Sequence, residues 1–405
     1  MTGRGAKLLF AGAVAFACQS RSAKDAGRAP VIAEPPVPSA GPDTPRAAPP
    51  VSAARRPAMG TPRPVPNPLI SRGRPAFAQS FADGATARPV NDGIYGTWAG
   101  TFRGGTPKPG RPVWVAIDLG TGYRRVLLVW TEGGSDYTNV TYGSPADYRV
   151  EVSADSTNGA DGAWRSVVEV EENRFHARGH SFDFAGQRFV RVVFLRAPAH
   201  SANGIAFAEI EVFDLSQGGT DTWFFMGDSI TAAAYDRDSE ERSPSFPELV
   251  HAHDPAYYPA LINGGIGGEN SDHALEHIDE WLAVNPDFKY WALGYGTNDA
   301  ASNLDRADGF KANMQAVIER IRAAGRVPIL ARIPYATDGQ HEHVPRFNAA
   351  LEELSQTHRL YPGPNLYAWF RAHPERLADG LHPDDQGIVA MHRLWWEAVK
   401  PLYER

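Results

Sequence analysis

The sequence predicts an α/β domain built on a parallel sheet, preceded by an all-β sandwich. Three observations carry this. From residue 221 onward, apolar strand-like runs alternate with helical stretches, the pattern of a parallel sheet covered on both faces. Between residues 67 and 216 the runs are short, rich in β-branched and aromatic residues, and not separated by helical stretches. In the α/β part, three successive apolar runs end in glycine and polar residues, and a parallel sheet brings such ends to one edge.

The chain has 405 residues, room for two domains and extra segments. Hydrophobic residues make up 42% and charged residues 21%, ordinary values for a globular protein. The net charge is −7 and no block of Lys and Arg occurs, so no nucleic-acid partner is expected. The one cysteine, Cys18, allows no intramolecular disulfide.

Residues 1–18 read as an export signal. Arg4 and Lys7 flank an apolar run from Leu8 to Ala17 that is too short to span a bilayer. The run ends Ala15-Phe16-Ala17-Cys18, which resembles the lipobox of bacterial lipoproteins. That resemblance implies lipidation of Cys18, a membrane reached only through the lipid anchor, and, with Gln19 next, compatibility with outer-membrane sorting. A plain secretory signal cleaved nearby is the alternative. Residues 19–66 read as a linker: thirteen prolines fall between Pro30 and Pro68, a composition that cannot bury a core.

The strand-like runs of residues 67–216 are Val113–Leu119, Arg125–Trp130, Tyr148–Ser153, Phe189–Phe194 and Ile210–Phe213. In the third, Tyr148, Val150 and Val152 alternate with Arg149, Glu151 and Ser153, the period of a half-buried strand. The pieces Asn91-Asp92-Gly93 with Trp98, Ile117–Gly120, Tyr148–Ser153, Trp164, Arg188–Val192 and Glu209–Phe213 resemble, in that order, the discoidin (coagulation factor 5/8 C-type, galactose-binding-like) domain. The resemblance implies a β-sandwich that either binds sugar or braces a neighbour. It also implies a structural calcium, whose ligands it does not assign.

In residues 221–405 the first strand is the run beginning at Trp223. A charged loop with Asp236, Asp238, Glu240 and Glu241 follows. Tyr258–Ile262, Tyr290–Leu293, Val327–Ile333 and Leu366–Trp369 read as further strands. Residues 309–324, 344–358 and 388–402 read as helices; the first carries Phe310, Met314, Val317, Ile318 and Ile321 on one face and Gly325 at its end. Trp395-Trp396 reads as core. His251, His253 and Asp254, and His341 with His343, lack metal-ligand spacing and read as solvated loops.

Trp223–Met226 has the composition of a buried strand and stops abruptly at Gly227-Asp228-Ser229. Near the C-terminus Asp379 and His382 supply an acid and an imidazole three residues apart. With the strand ends at Asn263–Gly268 and Gly296–Asp299 they make a nucleophile, oxyanion donors, an acid and a base in order along one sheet edge.

Gly227-Asp228-Ser229-Ile230, Asn263–Gly268, Gly296-Thr297-Asn298-Asp299 and Asp379-Gly380-Leu381-His382 resemble the four blocks of the SGNH (GDSL) hydrolase family. The resemblance implies a flavodoxin-like three-layer fold and ester hydrolysis without a catalytic cofactor. Ser229 would be the nucleophile, His382 its base and Asp379 the orienting acid. The backbone N–H groups of Ser229 and Gly268 and the Asn298 amide would receive the oxyanion. Gly267 is the alternative to Gly268, which the family spacing favours. Asp228 reads as a structural hydrogen-bonding residue. Together the resemblances imply an exported or envelope-tethered serine esterase, with an acetylated glycan as the leading substrate. A general short-chain esterase or lysophospholipase and a catalytically silent binding lipoprotein are the alternatives.

Overall fold

The computed structural model describes residues 60–82, 86–94, 102–132, 143–198, 204–235, 242–302 and 306–404. The export signal, the linker up to residue 59, Trp98 and the charged loop from Asp236 to Glu241 lie outside the described residues.

Among the described residues nine strands precede residue 215: β1 (Ala76–Gln79), β2 (Phe102–Gly105), β3 (Val113–Asp118), β4 (Arg125–Glu132), β5 (Asp147–Ser153), β6 (Arg165–Val170), β7 (Ala177–Asp183), β8 (Phe189–Arg196) and β9 (Ile205–Asp214). They form two sheets, β1-β3-β8-β5-β6 and β2-β9-β4-β7, paired antiparallel throughout. Val113, Val115 and Ile117 of one sheet and Val126, Leu128 and Trp130 of the other enter a common core. β1, β2, β6 and β7 have no counterpart among the sequence-read runs. The reason is clearest for β7, whose Gly179 breaks the apolar signal. Phe288 packs so closely there that a Cβ would lie 2.4 Å from its ring.

The α/β part comprises β10 (Thr222–Gly227), α1 (Ser229–Tyr235), α2 (Phe246–His253), β11 (Ala260–Gly265), α3 (Ser271–Val284), β12 (Tyr290–Gly294) and α4 (Thr297–Ser302). It continues with α5 (Ala307–Ala323), β13 (Val327–Arg332), α6 (Val344–Thr357), β14 (Tyr361–Asn365), α7 (Leu366–Ala372) and α8 (Asp385–Val399). The five strands are parallel, in the order β11-β10-β12-β13-β14. Numbered within this part, that is 2-1-3-4-5, the flavodoxin-like order. β10 is apolar on both faces because both are covered. Phe224 and Met226 join a cluster with α3, α5 and α6, while Trp223 and Phe225 join one with α2 and α8. Trp395 and Trp396 belong to the second cluster. Among the described residues no helix is long and apolar enough to cross a membrane.

One predicted strand is corrected. Leu366–Trp369 is the first turn of α7, and the last strand is the preceding Tyr361-Pro-Gly-Pro-Asn365. Two prolines disguise it, but it lies at the sheet edge, where a missing N–H is tolerated. Gly363 is needed there, since a Cβ would fall 2.1 Å from the Leu330 carbonyl oxygen. The Asn365 side chain then accepts from Ala368 N–H and starts the helix.

The residues read as the end of the linker are bonded to the folded part. Tyr290 donates to the Pro62 carbonyl at 2.8 Å, Val65 O accepts from Thr220 and Asp221 N–H, and Pro64 and Asn67 are buried. The antiparallel and parallel parts share one core, in which Leu127, Val129, Ala177 and Phe213 meet Phe224, Trp281 and Phe288.

Asp221, fully buried at the start of β10, accepts from Tyr403 O–H at 2.7 Å and Trp223 Nε1–H at 2.9 Å. Burial pushes its carboxyl up to about 7, against the lowering effect of those two bonds. The folded state therefore keeps a proton that the unfolded chain releases near ~3.9, so this group's stabilisation is full in acid and is lost as pH rises through about 7. Asp221→Asn should consequently gain melting temperature relative to the parent at about pH 8 compared with about pH 5. An identical difference in melting temperature at both pH values would show that Asp221 does not titrate this way.

Candidate active site

β10 delivers Ser229 to the sheet edge through a turn that only glycine permits. A Cβ on Gly227 would lie 2.1 Å from Thr231 Oγ1 and 2.6 Å from the Gly294 carbonyl. Asp228, 1% exposed, then caps the turn: its Oδ1 accepts from Ile230 N–H at 3.0 Å and its carbonyl from Ala232 N–H at 2.9 Å. α1 begins at Ser229, whose N–H belongs to the first helical turn and has no carbonyl partner within the helix.

The second element is the loop before α8. Ala378 N–H bonds the His382 carbonyl at 2.7 Å and closes a tight turn around Gly380, whose φ of +85° suits glycine. Thr337 N–H holds the Gly380 carbonyl at 2.7 Å, so the loop after β13 props this turn. Inside it, Asp379 Oδ1 accepts from His382 N–H at 2.7 Å and Leu381 N–H at 3.0 Å. Asp379 Oδ2 lies 2.8 Å from His382 Nδ1, and His382 Nε2 lies 2.9 Å from Ser229 Oγ. Partial burial pushes the Asp379 carboxyl up, but the His382 and Leu381 hydrogen bonds outweigh it and hold it below the usual value. An ionised carboxylate only accepts, so the Nδ1–H donates to Asp379 and Nε2 is left to accept the Ser229 hydroxyl proton.

The third element is the loop after β11. Gly268 has φ +79°, a left-handed position. Asn298, in the first turn of α4, donates from Nδ2 to the Glu269 carbonyl at 2.7 Å, so it meets the loop beside Gly268. The loop is tied to the Ser229 turn by Ile266 N–H to the Gly227 carbonyl at 3.0 Å and by Asn263 Nδ2 to the Ala232 carbonyl at 2.9 Å.

The structure thus joins Ser229, His382 and Asp379 in one chain of hydrogen bonds, and it puts Gly268 on a loop that Ile266 ties to the Ser229 turn and that Asn298 bonds at Glu269. Sequence reasoning assigned no role to several residues that hold this arrangement. Asp299 receives Ser271 Oγ–H at 2.6 Å and Ser271 N–H at 3.0 Å, and Glu269 receives the Tyr295 hydroxyl at 3.0 Å. Burial pushes the Asp299 and Glu269 carboxyls up, and pushes Asp228 up to about 6. Ser271 and Asp299 stand on different helices, and no sequence pattern links them. A cavity of about 20 Å³, enough for one water, lies behind Asp228 and is lined also by Thr231, Tyr295 and Thr297.

The other histidines are not all in solvated loops. His251 and His253 end α2, with His251 Nδ1 at 2.8 Å from the Tyr257 carbonyl, and His341 is buried beside Asp338 at 2.7 Å. Among the described residues no group of three His, Cys, Asp or Glu could hold a metal ion. The buried Glu209 and Glu211 of β9 face Arg72, which donates to Glu211 at 2.8 Å, so a guanidinium supplies the cation there.

Residues 225–388 match the sequence model of the GDSL-like Lipase/Acylhydrolase family. The match supports a GDSL/SGNH hydrolase domain, and hence an esterase, in this part of the chain. Similar solved structures include a lipase/acylhydrolase from Enterococcus faecalis, 27% identical with a TM-score of 0.37 over 44% of this chain and 95% of that one. An acetyl xylan esterase from Geobacillus stearothermophilus is 18% identical with a TM-score of 0.37 over 44% and 94%. Another acetyl xylan esterase is 20% identical with a TM-score of 0.36 over 44% and 99%. No curated protein matches the chain.

A Cβ on Gly265 would lie 2.2 Å from the Ala232 backbone nitrogen, forcing α1 and its serine away from β11. Gly265→Ala should therefore lower hydrolysis of p-nitrophenyl acetate by about tenfold or more, because catalytic groups displaced by fractions of an ångström lose their alignment. Unchanged turnover would mean that α1 can move without cost to the site.

Proposed function

We propose that this chain is an exported serine esterase that removes O-acetyl groups from a glycan through an acyl-enzyme. The observation that carries the reaction class is the unbroken hydrogen-bond chain from Ser229 through His382 to Asp379, at the C-terminal end of β10 in a flavodoxin-like sheet.

In this reading His382 Nε2 takes the Ser229 proton while Oγ bonds to the acetyl carbonyl carbon. Asp379 keeps the ring in the Nδ1–H tautomer and stabilises the imidazolium that forms. The carbonyl oxygen becomes negative and receives the backbone N–H groups of Ser229 and Gly268 and the Asn298 side-chain amide. Each such donor contributes on the order of 3 kcal/mol to transition-state stabilisation. The imidazolium then returns its proton to the sugar oxygen, the bond from that oxygen to the acyl carbon breaks, and the alcohol leaves. Water, deprotonated by the same imidazole, attacks the acetyl-serine and releases acetate. Every step uses groups of the chain itself.

The substrate class is supported from the sequence side. The stretch 1–18 reads as an export signal, with Cys18 as a lipid-anchor site or a plain cleavage site nearby, and either would put the enzyme in the cell envelope or outside the cell, where acetylated glycans are met. The galactose-binding-like resemblance of residues 67–216 points to carbohydrate. Acetate release from a panel of acetylated glycans, measured beside nitrophenyl esters of increasing chain length, tests this reading. Preference for long acyl chains and no acetate from any glycan would move the reading to a lipase or lysophospholipase.

Ser229→Ala should lower p-nitrophenyl acetate hydrolysis by at least about 10⁴-fold and abolish labelling by a serine-directed phosphonate, with the melting temperature retained. Normal turnover by the purified variant would end the hydrolase reading. Asp379 is held below the usual carboxylate range, so it meets the imidazole as an anion. Asp379→Asn should cost about 10⁴-fold, since the required tautomer is no longer favoured. Full activity in Asp379→Asn would show that the base lies elsewhere.

A further inference from the structure

We propose that His176, from the antiparallel part of the chain, is a positioning residue for the esterase site. It acts by holding the carbonyl of Asn263, at the root of the loop that carries Gly268. The proposal rests on the esterase reading above.

β11 is an edge strand of the parallel sheet, so one side of its backbone has no strand partner. On that side His176, immediately before β7, brings Nε2 to 2.8 Å from the Asn263 carbonyl oxygen. A carbonyl only accepts, so the ring proton is on Nε2 and is donated to Asn263. The other nitrogen, Nδ1, is buried without a partner, and the residue is 8% exposed. The ring therefore gives up one of its two polar contacts and keeps the one to Asn263. Burial pushes its pKa down to about 4, so it is neutral at ordinary pH. Trp281 stands edge-on to it at 5.6 Å and limits its rotation.

Asn263 is the point where three elements meet. Its Nδ2 donates to Ala232 in the helix that begins with Ser229, its Oδ1 accepts from Gly265 N–H at the start of the loop, and its carbonyl takes His176. The same face is fastened elsewhere by Gly179 N–H to Asn285 Oδ1 at 3.0 Å, by Phe288 against Gly179, and by Arg174 to Glu280 at 2.9 Å. Those contacts touch the ends of α3 and the loop after it. His176 alone among them bonds the segment between nucleophile and oxyanion loop. The antiparallel part thereby takes part in aligning the site instead of only adjoining it.

The decisive comparison is His176→Gln against His176→Met in the full chain. The two replacements are alike in length and volume, but only Gln carries an N–H that can reach Asn263. With p-nitrophenyl acetate, His176→Met should lower kcat by about tenfold or more while KM stays within about twofold, and His176→Gln should restore most of the loss. Equal kcat values for the two variants would overturn the proposal. So would a lower melting temperature in His176→Met with kcat unchanged, or failure of His176→Met to fold while His176→Gln folds, because either result assigns the bond to stability alone. Ser229→Ala distinguishes the two levels of argument: turnover by that variant would remove the esterase reading itself, whatever His176 does.

Discussion

The site depends on how closely three backbones approach at the C-terminal ends of neighbouring strands. β10, β11 and β12 end in Gly227, Gly265 and Gly294. A Cβ on the first or the third would strike Thr231 Oγ1, at 2.1 and 2.7 Å, and one on the second would strike the backbone of Ala232. The first turns of α1 therefore sit directly on the strand ends. That contact fixes where Ser229 stands relative to the loop with Gly268. Larger side chains would lift the helix, and the hydrogen bonds that Asn263 and Ile266 send to this turn would lengthen together. The glycines matter here for the space they leave, more than for backbone freedom.

Around that contact the carboxylates divide into two kinds. Asp379 lies in a partly exposed turn and collects N–H donors, so it is stabilised as an anion. Asp228, Asp299 and Glu269 lie deeper, and burial raises each of them. Their hydrogen bonds go to Ile230, Ser271 and Tyr295, groups that shape the turn and the loop. Asp379 thus holds the imidazole, and Asp228, Asp299 and Glu269 fasten the turn and loop around it. The difference follows from burial and the number of donors, not from residue type.

The antiparallel and parallel parts are joined through a shared apolar core. Phe175 packs on Trp281 with ring centroids 4.6 Å apart, and Trp281 packs on Phe224 of β10 at 5.0 Å. Sequence reading divided the chain near residue 216, because the periodicity changes there. The packing does not respect that division: the outer face of the β2-β9-β4-β7 sheet covers the β11 edge of the parallel sheet. Likewise the carbonyls of Pro62, Pro64 and Val65, inside the stretch whose composition reads as a linker, accept from Tyr290, Tyr257, Thr220 and Asp221.

What the sequence determined by itself was whatever local pattern or motif encodes. The apolar run at Trp223–Met226, the alternation of strands and helices, the amphipathic face of α5 and the grouping of Ser229 with His382 and Asp379, which the structure joins by hydrogen bonds, were all legible. In each the signal lies within a few consecutive residues. Tertiary structure alone decided what depends on distant partners. β14 is a strand because an edge position tolerates its prolines. β7 keeps Gly179 because Phe288, more than a hundred positions away, fills the space. Asp299 meets Ser271, and His176 meets Asn263, only once the sheets are assembled. A hydrogen bond between residues far apart in the chain leaves no periodicity in either segment, so only the folded molecule shows which side chains hold the site.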